Sequence, residues 1–446
     1  MSPLTQGAII GLMAMALFLT GMPIAFALAI TALLSILFFL GPDQLELFGK
    51  MTYDSVNDFG LLAIPLFVLM GNLFGGSKAS AQLFEAGEAW LSRIKGGLAM
   101  SSVAASTLFA ALTGSSPATA AAIGRVAVPE MEKRGYSDRI ATGAVAAGGT
   151  LGILIPPSVT LILYGIAAEQ SIGQLFAGGI LPGVVIAVMF CIWIYIAQSM
   201  EDRRAVKHSS SLAQARRERV ERTYSWAVRF KSLVKVLPFA LLVFLVLVVL
   251  YRGIATPSEA AAIGALLVWV LITVGYRGMT GKQLMSVLLE STNQSTMILL
   301  ITAFSAVVAT VLSYLRVPQE LAAMVSDMEV NRWVVLLLIN LVLLVMGCFL
   351  PPVSIIVMTT PILLPIILAQ GFDPIWFGVI MTINMEMGLI TPPVGLNLYV
   401  LKGIAPHIPL KEILWGSLPY VFVLSLAIVL FSVFPEIVMV IPNALY

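Results

Sequence analysis

The chain has 446 residues, of which 59% are hydrophobic and 11% charged, with a mean hydropathy of +0.99 and a net charge of +2. Soluble domains carry about a quarter charged residues, and the longest polar interval here, about Met200 to Lys235, is too short to form one. Apolar runs of about 20 residues recur instead, so the sequence predicts an all-α polytopic membrane protein embedded in a lipid bilayer.

Met1 to Ala27 imitates a signal peptide, with Ala25-Phe26-Ala27 at the cleavage position. It lacks a basic start and its apolar run continues to Leu40, so it is expected to be retained. Gly21-Met22-Pro23 interrupts the run from Gly7 to Leu40, and two short spans with a tight turn suit the repeat below better than one kinked helix. Gly41 to Asp58 is a polar loop with four acids and one lysine. Phe59 to Phe74 is a span, and Ala79 to Ile94 is an amphipathic interfacial helix anchored by Trp90 and Arg93. Residues 97–131 are apolar with Gly114-Ser115-Ser116-Pro117 near the centre. That is too long for one crossing and too short for two, so a re-entrant hairpin with its tip at Ser115-Ser116-Pro117 fits. Residues 137–168 form a span broken at Pro156-Pro157, and Leu175 to Ala197 is a plain span.

Between Met200 and Lys235 lie 10 of the 25 basic residues. Their density places this loop in the cytoplasm, a plainer reading than binding of anionic lipid or nucleic acid, and no nucleic-acid partner is expected. Val236 to Tyr251, Ala260 to Tyr276 and Met285 to Leu315 are further spans. A second hairpin over 334–370, tipped by Leu350-Pro351-Pro352, precedes a second broken span over 376–401, with Gly388-Leu389-Ile390-Thr391-Pro392-Pro393 at the break. Leu414 to Phe434 is the last span.

The second half repeats the first. Gly388 and Gly152, Pro392 and Pro156, and Pro365 and Pro129 are each 236 residues apart, while Pro352 and Pro117 are 235 apart. The predicted organisation is therefore a first repeat over 1–205, a basic linker over 206–235 and a second repeat over 236–446. With five full crossings each, the halves must be inverted, giving ten spans plus two re-entrant hairpins. Charge agrees: Arg93, Lys95, Lys133, Arg134 and Arg139 flank the first hairpin on the inside. Val317 to Asn331 beside the second hairpin holds Glu320, Asp327 and Glu329 with no base, as an outside segment should. Both termini then fall outside.

Inverted repeats with discontinuous helices mark secondary transporters. Half-helices starting after Pro117 and Pro352 aim free N–H groups at the midplane, which favours an anion such as a carboxylate. Carbonyls freed around Gly149-Thr150 and Gly388, with the hydroxyls of Ser115, Ser116 and Thr391, suit a small hard cation such as sodium. A proton-coupled carrier would instead want a buried carboxylate. Asn293, in the polar run Glu290 to Thr296, either lines the substrate path or makes a helix–helix contact. Arg125 either balances a substrate carboxylate or snorkels to the cytoplasmic interface. Glu386 belongs to an ion pathway or to a buried salt bridge. Cys191 and Cys348 lie in apolar runs, and His208 and His407 form no ligand cluster. Neither His-Glu-x-x-His nor a Walker-type phosphate loop is present, so an enzyme is not expected. Two hairpins capping one site serve occlusion better than the continuous conduction of a channel.

Gly114 to Thr119, Gly152 to Ser158, Ala255 to Ala262 and Asn384 to Asn397 resemble the large membrane subunit of TRAP (tripartite ATP-independent periplasmic) transporters. The resemblance implies an inner-membrane, sodium-driven elevator importer of organic acids. It implies a small membrane subunit of about four helices, here a separate polypeptide, and a periplasmic substrate-binding protein. The implied sodium ligands are Ser115 and Ser116 with Gly149, Thr150 and Gly152, and Pro351 with Gly388, Thr391 and Gly395. Ser116, Pro117, Pro352, Val394, Asn397, Asn293 and Arg125 are the candidate substrate contacts. A stand-alone divalent-anion/sodium symporter of related architecture is the alternative.

Single cysteines near Glu169 and near Asp327 should react with a membrane-impermeant thiol reagent added outside, while one near Ser210 should not. The reverse pattern would overturn the topology.

Overall fold

The computed structural model describes residues 1–77, 79–207, 224–275, 279–327 and 330–446. Most of the basic linker, with His208, Ser210, Arg216, Arg217, Arg219 and Arg222, lies outside these residues, as do Tyr276 and Glu329. Among the described residues every regular element is a helix.

The first half runs α1 (Pro3–Leu19), α2 (Ile24–Ser35, continued by a wider turn over Ile36–Leu40), α3 (Glu46–Val56), α4 (Ala63–Gly75) and α5 (Ala79–Leu91). A hairpin follows, α6 (Gly97–Thr113) and α7 (Ser116–Lys133), then α8 (Asp138–Thr150), α9 (Val159–Ala167) and α10 (Ile172–Lys207). The second half runs α11 (Trp226–Tyr251), α12 (Pro257–Val270), α13 (Gly281–Tyr314) and α14 (Val317–Asp327). Its hairpin is α15 (Arg332–Gly347) and α16 (Pro352–Ala369), followed by α17 (Pro374–Leu389), α18 (Leu396–Ile404), α19 (Leu410–Val433) and α20 (Glu436–Leu445). Helix α11 starts ten residues before the expected span, so the end of the expected linker is already helical. Helix α20 is an addition to the expected elements, a short apolar helix separated from α19 by Phe434-Pro435.

Local chemistry sets these boundaries. Ser137 and Asp373 open α8 and α17 by accepting from Ile140 N (3.3 Å) and Trp376 N (2.9 Å). Thr256 with Glu259, and Thr280 with Gln283, form capping boxes at the starts of α12 and α13. Helix α6 stops at Gly114, whose φ of 57° is left-handed.

Six helices are long and apolar enough to cross a bilayer: Ile172–Arg203, Trp226–Tyr251, Pro257–Val274, Gly281–Tyr314, Pro352–Ala369 and Leu410–Val433. The pair Pro42–Val56 and Phe59–Gly75, bent by 58°, makes a seventh if counted as one span. The sequence predicts ten. The shortfall lies in α1 and α2, which are short, and in the two broken helices, which no length criterion counts as single spans. Conversely α16, expected as a hairpin arm, meets the criterion alone.

Packing repeats with the elements. Helix α6 packs on α8 as α15 packs on α17, and α8 packs on α19 as α17 packs on α10. The second piece of each broken helix crosses over: α18 lies against α7 of the first hairpin and α9 against α16 of the second. The halves are thus interlocked rather than merely adjacent. Close approach of α8 to α19 depends on Gly143 and Gly416, since a Cβ on Gly143 would stand 2.2 Å from the carbonyl oxygen of Gly416. The straight α13 occupies the place in the order that the bent α3–α4 pair holds in the first half. A separate apolar cluster, including Ile10, Leu28 and Ile36 with Ile301, Val308 and Leu312, packs α1 and α2 on α13.

Candidate transport site

The prolines at each break act through the hydrogen bonds they withhold. A helical carbonyl accepts from the residue four ahead, or three ahead in a tightened turn. For Ile153 those residues are Pro156 and Pro157, and for Leu389 they are Pro392 and Pro393, none of which has an N–H. Both prolyl pairs are cis. The first break is repaired locally: the hydroxyl of Ser158 donates to Ile153 O while accepting from Leu161 N (3.2 Å). At the second break the position of Ser158 is held by Val394, and the Leu389 carbonyl has no such donor. The next carbonyl, Ile390 O, stands 3.4 Å from the Ser417 hydroxyl of α19, whose single proton is shared with the nearer Leu414 O (3.0 Å).

Each break is pressed onto hairpin backbone. A Cβ on Gly152 would lie 2.7 Å from the Ser115 carbonyl oxygen, and one on Gly388 would lie 2.6 Å from the carbonyl carbon of Gly347. Gly149 crosses Ala120 as closely. Val394 N donates to Cys348 O (3.2 Å), tying the second break to its own hairpin. Asn397 reaches the other one. Its amide donates to Ser116 Oγ (2.8 Å) and Ala146 O (3.2 Å), and its oxygen accepts from the Ser116 hydroxyl (3.2 Å). Both side chains are fully buried. Their contact holds the first turns of α7 and α18, one from each half, side by side.

Neither α7 nor α18 has a side-chain cap: Ser115 and Gly395, at their N-cap positions, make no capping bond, and Gly395 adopts a φ of 57°. Helix α16, entered through half-buried Pro351 and Pro352, is also uncapped, whereas α9 is closed by Ser158. First-turn N–H groups are unpaired within a helix and carry its positive end. The two breaks also differ in access. Pro156 and Pro157 are buried, whereas Pro392, Pro393, Leu396 and Tyr399 are exposed.

The candidate residues fall into distinct settings. Ser115, Ser116, Pro117, Gly149 and Gly152 gather at the first tip and break, and Pro351, Pro352, Gly388 and Val394 at the second. Ser115 is half-buried, and its carbonyl already accepts from Thr119 Oγ1 (2.8 Å). The hydroxyls of Thr150 and Thr391 donate to Ala147 O and Met387 O of their own helices, so only their lone pairs face a ligand. Asn293 is exposed on α13 and does not join the tips, while its neighbours Ser291 and Gln294 each accept from Asn72 at 3.0 Å. The helix–helix reading therefore describes the flanks of that polar run. Arg125 is exposed on α7, with no ion pair to it among the described residues. Glu386 is fully buried, and of its two readings the salt bridge finds no partner among the described residues: neither carboxyl oxygen is hydrogen-bonded there. Sequence reasoning missed the buried Glu88, which binds Arg134 (2.6 Å) and the Tyr224 hydroxyl (2.6 Å). Glu88 shares its amphipathic helix with Glu85, and nothing local distinguished the buried acid from the exposed one.

The family model for the DctM component of the tripartite ATP-independent periplasmic transporters matches residues 11–437. The chain belongs to this family. The C4-dicarboxylate TRAP transporter large permease protein DctM of Pseudomonas aeruginosa is 36% identical over 94% of each chain. The sialic acid TRAP transporter large permease protein SiaM of Vibrio cholerae is 30% identical over 96% of each. The isethionate TRAP transporter permease protein DctMQ of Oleidesulfovibrio alaskensis is 33% identical, covering 87% of this chain and 59% of that longer one. Among solved structures, the YdaH transporter of Alcanivorax borkumensis matches with a TM-score of 0.60 and 15% identity, over 90% of this chain and 91% of that one. That likeness bears on the fold alone.

Replacing Asn397 by Ala leaves buried Ser116 without its partner across the halves. The purified TRAP permease should lose about 1–3 kcal/mol of stability, read as a lower thermal midpoint in detergent. An unchanged midpoint would show that the halves are not held here.

Proposed function

We propose that this TRAP permease is the translocating subunit of a sodium-coupled importer for an organic acid, delivered by a periplasmic substrate-binding protein. A separate small membrane subunit of about four helices completes the assembly in the bacterial inner membrane. The observation that carries the reading is the pair of uncapped helix starts at α7 and α18, drawn together from opposite halves by Ser116 and Asn397. Two positive helix ends side by side make an anion site without a fixed cationic side chain. A carboxylate there would meet N–H groups around Ser116 and Asn397, with Pro117, Pro352 and Val394 lining the approach. Relatives named for C4-dicarboxylates, sialic acid and isethionate are consistent with an organic-anion cargo.

Sodium is the coupling ion in this reading, held by neutral oxygens. Ser115, Ser116, Gly149, Thr150 and Gly152 supply one site, and Pro351, Gly388, Thr391 and Gly395 the other. The support is the pair of prolyl breaks, which remove donors from carbonyls in a place where water is scarce. Full crossings would be α1, α2, α4, α8–α9 and α10, then α11, α12, α13, α17–α18 and α19, with the halves inverted and both termini outside. The hairpins and broken helices would move as an elevator unit against the remaining spans. Arg125, exposed on α7 and without an ion pair among the described residues, would guide the anion as it leaves on the cytoplasmic side.

Family membership favours this reading over the stand-alone symporter, and a reconstituted assay separates them. Uptake into proteoliposomes holding both membrane subunits should require the binding protein, and transport of free substrate by the permease alone would sink the proposal. Ser115→Ala should raise the half-saturating sodium concentration with little change in abundance, because the Ser115 hydroxyl makes no bond within the chain among the described residues. An unchanged sodium response would remove Ser115 from the site.

A further inference from the structure

Arg229 is the one buried base among the described residues. It is 6% exposed, yet neither its Nε nor its Nη2 has a hydrogen-bond partner there. Its backbone carbonyl, by contrast, accepts from the Trp90 indole (3.3 Å) and the Ser232 hydroxyl (2.7 Å). The acids of the facing helix α5 are engaged elsewhere, Glu85 with Lys235 (3.3 Å) and Glu88 with Arg134 (2.6 Å). A buried acid without a partner can take up a proton, but a guanidinium in a protein cannot give one away. A buried cation without a counter-charge is costly, so the missing partner is an anion.

The surroundings identify its class. Arg229 lies in the first turn of α11, at the end that adjoins the basic linker. Its guanidinium carbon stands 5.0 Å from the centroid of the Trp226 ring. Trp226 stacks on Phe230, and Trp90 meets the two edge-on at 6.3 and 6.1 Å. Trp226 and Phe230 are exposed, and exposed aromatics beside a base at the end of a span mark the headgroup level of a bilayer. About two turns further along α11 begins an apolar groove of about 200 Å³. Leu83 of α5, Leu108 and Leu112 of α6, and Val236, Val243 and Leu247 of α11 line it, with Leu108 exposed at its rim. Arg229, Val236 and Val243 follow at seven-residue spacing, so they share one face of α11. Helix α5 runs antiparallel beside that face: Trp90 meets Arg229, Glu85 meets Lys235, and Leu83 lines the groove with Val236. Val236 and Val243 lie about 10 and 21 Å along the helix from Arg229, comparable with the ~20 Å from headgroup to bilayer midplane.

We propose that Arg229 and this groove bind one anionic phospholipid, its phosphate on the guanidinium and one acyl chain between α11 and α6. The forked guanidinium suits a phosphodiester, whose two free oxygens match its parallel N–H donors. Free phosphate shares the headgroup chemistry but has nothing to place in the groove. The lipid would fill the joint between the first hairpin and α11.

The test uses the purified full-length permease in detergent, alone and with its small membrane subunit, with native mass spectrometry counting the lipids retained. Titration with phosphatidylglycerol should give one adduct held more tightly than any formed with phosphatidylcholine, and should raise the thermal midpoint. Arg229→Met keeps the bulk and removes the charge. It should weaken the phosphatidylglycerol adduct at least about tenfold, as loss of a charge-assisted bond implies, and abolish the preference over phosphatidylcholine. Ala240→Phe fills the groove, which Ala240 lines, and leaves Arg229 in place; it should weaken both lipids. A wild type that binds the two lipids equally, or an Arg229→Met protein that keeps the preference, would overturn the site. Inorganic phosphate that stabilises the wild type as well as phosphatidylglycerol does, with Ala240→Phe unaltered, would overturn the lipid assignment. Disappearance of the adduct once the small subunit binds would place a protein face on Arg229 and overturn it as well. If Arg229→Met fails to fold, Arg229→Lys, which keeps the charge but loses the fork, and Ala240→Phe decide. Both should bind phosphatidylglycerol more weakly, and wild-type affinity in the two counts against the proposal.

Discussion

The architecture depends on four prolines that cannot donate. Inside a bilayer every backbone carbonyl without a donor is a standing cost, because water is not there to replace it. Pro156-Pro157 and Pro392-Pro393 each strip Ile153 or Leu389 of both local donors, and the surrounding structure is arranged around that deficit. Hairpin tips are pressed against the breaks, with Gly152 and Gly388 admitting hairpin backbone where any side chain would collide. Ser158 and Ser417 supply hydroxyls from outside the helix ladder. Backbone that cannot satisfy itself must sit where protein or ligand can reach it, and both breaks lie against hairpin backbone.

Much of this was legible in the sequence because it is written in residues with strong local consequences. Pro-Pro after Gly cannot be an ordinary span, and a Gly-Ser-Ser-Pro tip in an apolar run of about 35 residues has few alternatives to a hairpin. The equal spacing of glycines and prolines then exposed the repeat. Long-range contacts were not legible. Asn397 was a candidate from its motif, but nothing local announces that it bonds Ser116, 281 residues away, or that α18 crosses to the other half's hairpin. The polar run around Asn293 shows the same limit from the other side. The run was visible, yet which of its members faced Asn72 depended on helix phase, and the structure selects Ser291 and Gln294.

A length rule and the sequence repeat give different counts for such a fold. A span that bends, or breaks in the middle, falls below any length threshold, while a re-entrant arm such as α16 can pass it. The segments a length rule discards here are the short α1 and α2 and the two helices that carry the breaks.

At the 236-residue offset the two breaks differ in one hydroxyl. Ser158 seals the first break, and Val394, at the equivalent position, leaves the second unsealed. The first break therefore keeps its donor within its own segment, while the second has to borrow one from neighbouring elements, a difference of about one buried hydrogen bond, on the order of 1 kcal/mol.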